Sequence, residues 1–244
     1  MIKRFTGTRR APVVLVGGSS SLVMCRRMIE YARANVSAGK EKPHVVCLPT
    51  ASGDNPEITA EVSGYLDRLP CTYDMILAAT APAEPDETAR RMEAADVVYV
   101  PGGSEQRIID VWAKCGADEA LFRIARRGSA LIVGSSAGAM AWAHACPFVT
   151  EEGQIKVFAG YGLVPVWYTP HYQMEEYKGF DAALAAQSDP PLGFASGDDA
   201  GILCTPDGRY FTFFGSEGNS VWRFTRTGGG WTRDEFPEGA DVPL

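Results

Sequence analysis

The chain has 244 residues, of which 45% are hydrophobic, 22% charged and 10% aromatic, enough for one large domain with a sizeable core. That composition argues against a collagenous, coiled-coil or disordered chain. The net charge of -7 gives no overall pull toward nucleic acid or anionic lipid, and it is uneven: residues 1–150 hold 17 basic and 16 acidic groups, residues 151–244 hold 6 and 14.

In chain order, the first 135 residues repeat one pattern. A short β-branched run is followed by a Gly/Pro-rich turn and then by an amphipathic helix. The runs are VVLVGG (13–18), HVVCLPT (44–50), YDMILAAT (73–80), DVVYVPGG (96–103) and SALIVGSS (129–136). Continuous apolar runs bounded by turn signals are what a strand buried on both faces looks like. Between them, Asn55-Pro56-Glu57 carries an N-cap, an N1 proline and an acidic first turn. The spans 105–114 and 118–127 read as helices in the same way. Strand and helix in alternation predict an α/β fold, a mostly parallel sheet with helices on both faces. After residue 150 the rhythm changes: 175–187 predicts one more helix. GFASGDDAGILC, GRYFTFFG and SVWRFT then predict antiparallel strands that close an edge of the sheet in the C-terminal third. No linker divides the chain, so one domain over 1–244 is expected, with 1–10 and 228–244 as peripheral tails.

The apolar run APVVLV near the N-terminus is shorter than a secretory signal needs. The uncharged stretch 128–150 is interrupted by Ser, His, Pro and Gly, so it predicts a buried strand, turn and helix and no membrane span. Cysteines at 25, 47, 71, 115, 146 and 204 lie too far apart for a CxxC site, and reduced, buried thiols in a cytoplasmic protein are expected. No metal or organic cofactor is implied. The glycine-rich turn 17–21 lacks the third glycine of a dinucleotide fingerprint.

The sharpest signal is Gly134-Ser135-Ser136-Ala137-Gly138, a G-x-S-x-G between an apolar strand and a buried helix. At such a junction the nucleophile sits on a sharp turn, the glycines relieve crowding, and the helix N-terminus favours negative charge. The competing reading is a tight βα turn without chemistry. A serine hydroxyl needs a base, and three histidines are available. His44 begins a strand, at the end opposite to where parallel sheets place their sites. His144 lies eight residues beyond Ser136, about 12 Å along a continuous helix. His171, in YTPHYQM, follows an apolar stretch and is the base by elimination, with packing between Tyr168 and Tyr172 as the competing reading. Asp198, at the mouth of an apolar strand, is the preferred acid to orient it. Its neighbour Asp199 points to the other side of an extended chain, and Glu175 and Glu176 are placed to cap a helix. The amide of Ala137 supplies one oxyanion donor, and the Gly102-Gly103 turn is the candidate for a second.

VVYVPGG, IVGSSAGAMAWA and GLVPVWYTPHY together resemble the aspartyl dipeptidase (dipeptidase E) and cyanophycinase family of serine peptidases, and LPTAS resembles the end of that family's second strand. The resemblance covers most of residues 12–204. It implies a class I glutamine amidotransferase-like fold with serine at the elbow. It also implies Ser136 as nucleophile, His171 as base, the amides of Gly103 and Ala137 as the oxyanion hole, an acid near Asp198, and a small peptide as substrate. Dipeptidases of this family place an arginine after the histidine to hold an aspartyl carboxylate. Here that stretch is HYQMEEYKGFDAALAAQSD, whose one cation is Lys178. Lysine lacks the bidentate fork, while Glu175, Glu176 and Asp181 oppose an acidic substrate, and Arg107 is the other candidate to bind one. Three readings follow: a dipeptidase of relaxed specificity, a related amide or isopeptide hydrolase, or a catalytically silent member that binds a small ligand.

Overall fold

The computed structural model describes residues 2–18, 21–37, 39–150, 152–174, 179–215, 219–237 and 241–242. Its first half runs β1 (Val13–Val16), α1 (Leu22–Asn35), β2 (His44–Cys47), α2 (Pro56–Leu66), β3 (Thr72–Met75), α3 (Pro85–Glu93), β4 (Val97–Val100), α4 (Glu105–Cys115), α5 (Ala117–Arg127) and β5 (Leu131–Ser135). The five strands pair in parallel in the order β1-β5-β4-β2-β3. β1, β4 and β5 lie in the middle and are buried throughout, which is why their sequences are apolar without alternation.

Alternate side chains divide between two cores. Leu15, Val98, Val100 and Ile132 join Met92, Ile108, Trp112 and Leu121 of α3, α4 and α5 on one face. Val14, Val97, Tyr99 and Val133 join Met28, Ile29, Val62 and Leu66 of α1 and α2 on the other. The helix ends follow local chemistry. Ser21, Asn55 and Ser104 accept hydrogen bonds from first-turn amides of α1, α2 and α4, and Gly116 and Gly128 bracket α5 in the left-handed region.

Beyond β5 come α6 (Ala137–Trp142), β6 (Ala145–Val149), β7 (Ile155–Ala159), β8 (Trp167–Thr169), α7 (Phe180–Ala185), β9 (Leu192–Ser196), β10 (Ala200–Cys204), β11 (Tyr210–Phe214), β12 (Val221–Thr227), β13 (Gly230–Phe236) and β14 (Asp241–Val242). β10, β11 and β14 extend the first sheet antiparallel beside β1; the sequence predicts this for β10 and β11, whereas β14 lies in the segment 228–244 expected as a tail. β9 and β12 do not. They join a second sheet in the order β13-β12-β9-β8-β6-β7. The chain changes sheets at Gly197-Asp198-Asp199, between β9 and β10, where Asp199 adopts a positive φ of 52°. A turn of that kind is invisible to an argument from strand periodicity.

Described parts of both terminal segments pack on the fold. Phe5 donates its amide to Tyr161 O and packs edge-on against Phe122. β13 pairs along its whole length with β12. Of the helix expected over 175–187, α7 covers Phe180–Ala185, and residues 175–178 lie outside the described residues. Among the described residues no helix is long and apolar enough to cross a membrane.

Candidate active site

The G-x-S-x-G segment is held by contacts that leave no room for side chains at its glycines. A Cβ on Gly134 would lie 2.4 Å from the backbone of Gly138, and one on Gly138 would lie 2.4 Å from Val100 O. The glycines therefore let α6 cross directly over the ends of β5 and β4. Between them Ser136 is forced to φ 51° and ψ -113°, an unfavourable conformation for a residue with a Cβ. Its amide bonds Val16 O at 2.9 Å, which ties the turn to β1. The adjacent Ser135 hydroxyl donates to Gly18 O. The result is a serine hydroxyl lifted clear of the carboxyl ends of β1, β4 and β5, where open parallel sheets place their ligands.

His171 reaches this serine from the second sheet. It follows β8 by two residues, has φ 50°, and donates its amide to Gly17 O at 3.0 Å. Its Nε2 lies 2.9 Å from Ser136 Oγ, and its Nδ1 lies 2.5 Å from Asp198 Oδ1. With a carboxylate on Nδ1, that nitrogen carries the proton and leaves Nε2 as the acceptor of the serine hydroxyl. Asp199 faces the other way: it is 7% exposed, and its Oδ1 accepts from the amide of Ser21 at the head of α1. The two neighbours diverge because Asp199 sits in the left-handed region of the turn between β9 and β10, not because they alternate along a strand.

The remaining histidines have other partners. His44 Nδ1 lies 2.9 Å from Thr72 Oγ1 at the far end of β2. His144 is not on the helix that carries Ser136, because α6 stops at Trp142 and Ala143 is extended. Its Nδ1 lies 2.7 Å from Arg4 Nη2, and guanidinium can only donate, so Nδ1 is the acceptor. Burial first, and then the Arg4 charge, push its pKa below the usual imidazole value.

Gly102 and Gly103, at the end of β4, stand beside the serine. A Cβ on Gly102 would lie 3.2 Å from Ser136 Cβ, and one on Gly103, which has φ 143°, would lie 2.2 Å from Ala51 O. Gly103 and Ala137 border one cavity with Ser136. Arg107 donates Nη1 to Ala51 O at 2.6 Å and packs beside Gly53. Lys178 lies outside the described residues.

One participant was not singled out from sequence. A Cβ on Gly18 would lie 1.7 Å from Asp198 Oδ1 and 2.8 Å from His171 Cε1. Its sequence signal is the Gly17-Gly18 pair at the end of β1, of which the missing third glycine speaks only to nucleotide binding.

Two cavities flank the serine. One, of about 270 Å³, runs past Ala137 and Met140 to Phe148 and Phe180, with Glu105 among its lining residues. The other, of about 280 Å³, runs past His171, Gly102 and Pro101 to Tyr65 and Tyr99. Among the described residues, no group of three or more His, Cys, Asp or Glu is arranged to hold a metal.

A strained serine on a strand-to-helix turn, with histidine and aspartate in hydrogen-bonded sequence, is the geometry used by hydrolases of the nucleophile-elbow kind. A family model for peptidase family S51 matches residues 13–192, and the chain belongs to that family. The uncharacterized peptidase YgaJ of Bacillus subtilis (strain 168) is 27% identical over 213 residues, spanning 86% of this chain and 90% of that protein. A peptidase from an acI-B1 Actinobacterium superposes with a TM-score of 0.74 at 16% identity, covering 98% of this chain and 99% of its own. A putative peptidase E protein from Listeria monocytogenes EGD-e gives 0.61 at 18% identity, covering 84% and 99%. The architecture is therefore the peptidase E-type fold, mixed α/β with a mostly parallel sheet.

Proposed function

We propose that the protein is a serine peptidase that hydrolyses small peptides through an acyl-enzyme, with Ser136 as nucleophile, His171 as base and Asp198 as the acid that orients it. The observation that carries this reading is the continuous link from Asp198 Oδ1 through the imidazole to Ser136 Oγ, at 2.5 and 2.9 Å. Ser136 Oγ attacks the scissile carbonyl as its proton passes to His171 Nε2. Asp198 holds Nδ1–H and stabilises the imidazolium that forms. The tetrahedral oxyanion is met by the amides of Ala137 and Gly103, with Gly102 keeping the approach to the serine open. α6 has six residues, so the local amides rather than a long helix dipole supply the field. Collapse of the intermediate expels the amine, which takes its proton from His171. Water, deprotonated by the same imidazole, then releases the acid and restores the serine.

The decisive experiment pairs Ser136→Ala with labelling by a fluorophosphonate. Covalent labelling of the native protein at Ser136, with hydrolysis of a dipeptide panel abolished in the variant and the melting temperature kept, is expected. Hydrolysis that survives in Ser136→Ala rejects the assignment. Lys178→Ala and Arg107→Ala test whether either cation contributes to substrate binding.

A further inference from the structure

The two cavities on either side of Ser136 correspond to the two halves of a substrate, an assignment that rests on the serine peptidase reading. In acyl transfer the leaving amine must collect its proton from the histidine, so the leaving group occupies the cavity that His171 lines. The carbonyl oxygen points at Gly103 and Ala137. The cavity bordered by both of these residues, of about 270 Å³, therefore receives the acyl residue.

The chemistry of that cavity is specific. Met140, Pro147, Phe148, Val149 and Phe180 make it apolar, and Glu105 is the charged group among the described residues that line it. Glu105 is half-buried at the first position of α4 and accepts no hydrogen bond or ion pair from any described residue. Cys146, in the same wall, has its thiol pushed up to about 12, chiefly by burial and then by the Glu105 charge. A carboxylate in an otherwise apolar lining attracts a cation and repels an acidic side chain. The first residue of a peptide matches both features, because its side chain and its α-ammonium leave the same carbon, one bond from the acyl carbonyl.

We propose that the Glu105 cavity binds an N-terminal residue with an apolar side chain, and that Glu105 holds its α-ammonium. The enzyme is then an exopeptidase for small peptides that begin with an apolar residue rather than with aspartate. The test compares Leu-Ala, Phe-Ala, Asp-Ala and N-acetyl-Leu-Ala on the native protein and on Glu105→Gln, with fluorophosphonate labelling of native Ser136 in parallel. Leu-Ala and Phe-Ala are expected to exceed both Asp-Ala and the acetylated peptide by about tenfold or more in kcat/KM. In Glu105→Gln the preference for the free amine shrinks by about tenfold, through KM, as expected for a lost charge-assisted contact. Preference for Asp-Ala, or an amine preference that survives Glu105→Gln, overturns the proposal. Labelling of Ser136 without cleavage of Leu-Ala or Phe-Ala overturns it while leaving the serine-hydrolase reading in place; absence of labelling overturns both.

Discussion

Gly18→Ala separates the proposed catalytic geometry from the fold more cleanly than removal of Ser136, His171 or Asp198. The new Cβ would lie 1.7 Å from Asp198 Oδ1. A carbon and a carboxylate oxygen meet at about 3.3 Å, so the carboxylate must retreat by about 1.5 Å. That displacement takes the 2.5 Å link to His171 Nδ1 out of hydrogen-bond range. The ring is pushed as well, since the same Cβ would lie 2.8 Å from His171 Cε1. Both obstacles are side-chain atoms, and the Asp198 and His171 side chains are 39% and 19% exposed, so they can yield without moving backbone. Loss of a charge-assisted bond costs about 1.5–3 kcal/mol, or roughly 10- to 150-fold in rate. If the imidazole also settles in the wrong tautomer the loss rises toward about 10⁴. The second-order rate of fluorophosphonate labelling reads this without knowledge of the best substrate. A melting curve should move by no more than about 4 °C, the equivalent of about 1 kcal/mol in a chain of this size. Native labelling kinetics in a folded Gly18→Ala protein would refute the coupling of Asp198 to His171.

Three further outcomes are expected. Gly138→Ala should lose stability as well as activity, by about 1–3 kcal/mol in urea unfolding, because its Cβ meets the backbone carbonyl of Val100 at 2.4 Å and α6 must shift. Iodoacetamide at pH 8 should leave hydrolysis intact: burial pushes the Cys25 and Cys146 thiols up to about 12, so neither is appreciably a thiolate. Arg91 grips Asp74 at 2.7 and 2.6 Å and holds its carboxyl below the usual range. A depressed folded pKa adds stability above the unfolded value near about 3.9, and that contribution disappears as pH falls through the folded one. Asp74→Asn should therefore melt below the native protein at pH 6, and the gap should close toward pH 3. With Asp74 33% exposed, the gap corresponds to about 0.5–1 kcal/mol.

The parallel core was legible because burial on both faces writes itself as uninterrupted apolar runs. Val13–Val16, Val97–Val100 and Leu131–Ser135 are such runs, and all are buried. The elbow was legible for a related reason: two close backbone approaches, at Gly134 and Gly138, can be met only by glycine, and they fall at a fixed spacing around Ser136. The second sheet was not. Its members carry the same alternation as strands that extend the first sheet, and what assigns them is the turn at Gly197–Asp199. Nor was β6 legible: it falls in the uncharged stretch 128–150 that the sequence predicts as a buried strand, turn and helix.

That missed strand bears directly on what the protein cleaves. Cys146, Pro147, Phe148 and Val149 of β6 form one wall of the cavity beside Ala137, and Glu105 of α4 is part of the same lining. The excess acid of the last third, 14 acidic against 6 basic groups, pointed away from an aspartyl substrate, but it did so from residues after His171. Glu105 belongs to the charge-balanced first part of the chain, and only the fold brings it to the cavity that begins at Ser136. Composition thus identified a sign, whereas position supplies a ligand: a net acidic segment repels every anion weakly, but one unpaired carboxylate in an apolar cavity selects a cation at a defined place. For a peptide whose acyl residue lies there, the cation at that place is its amino terminus.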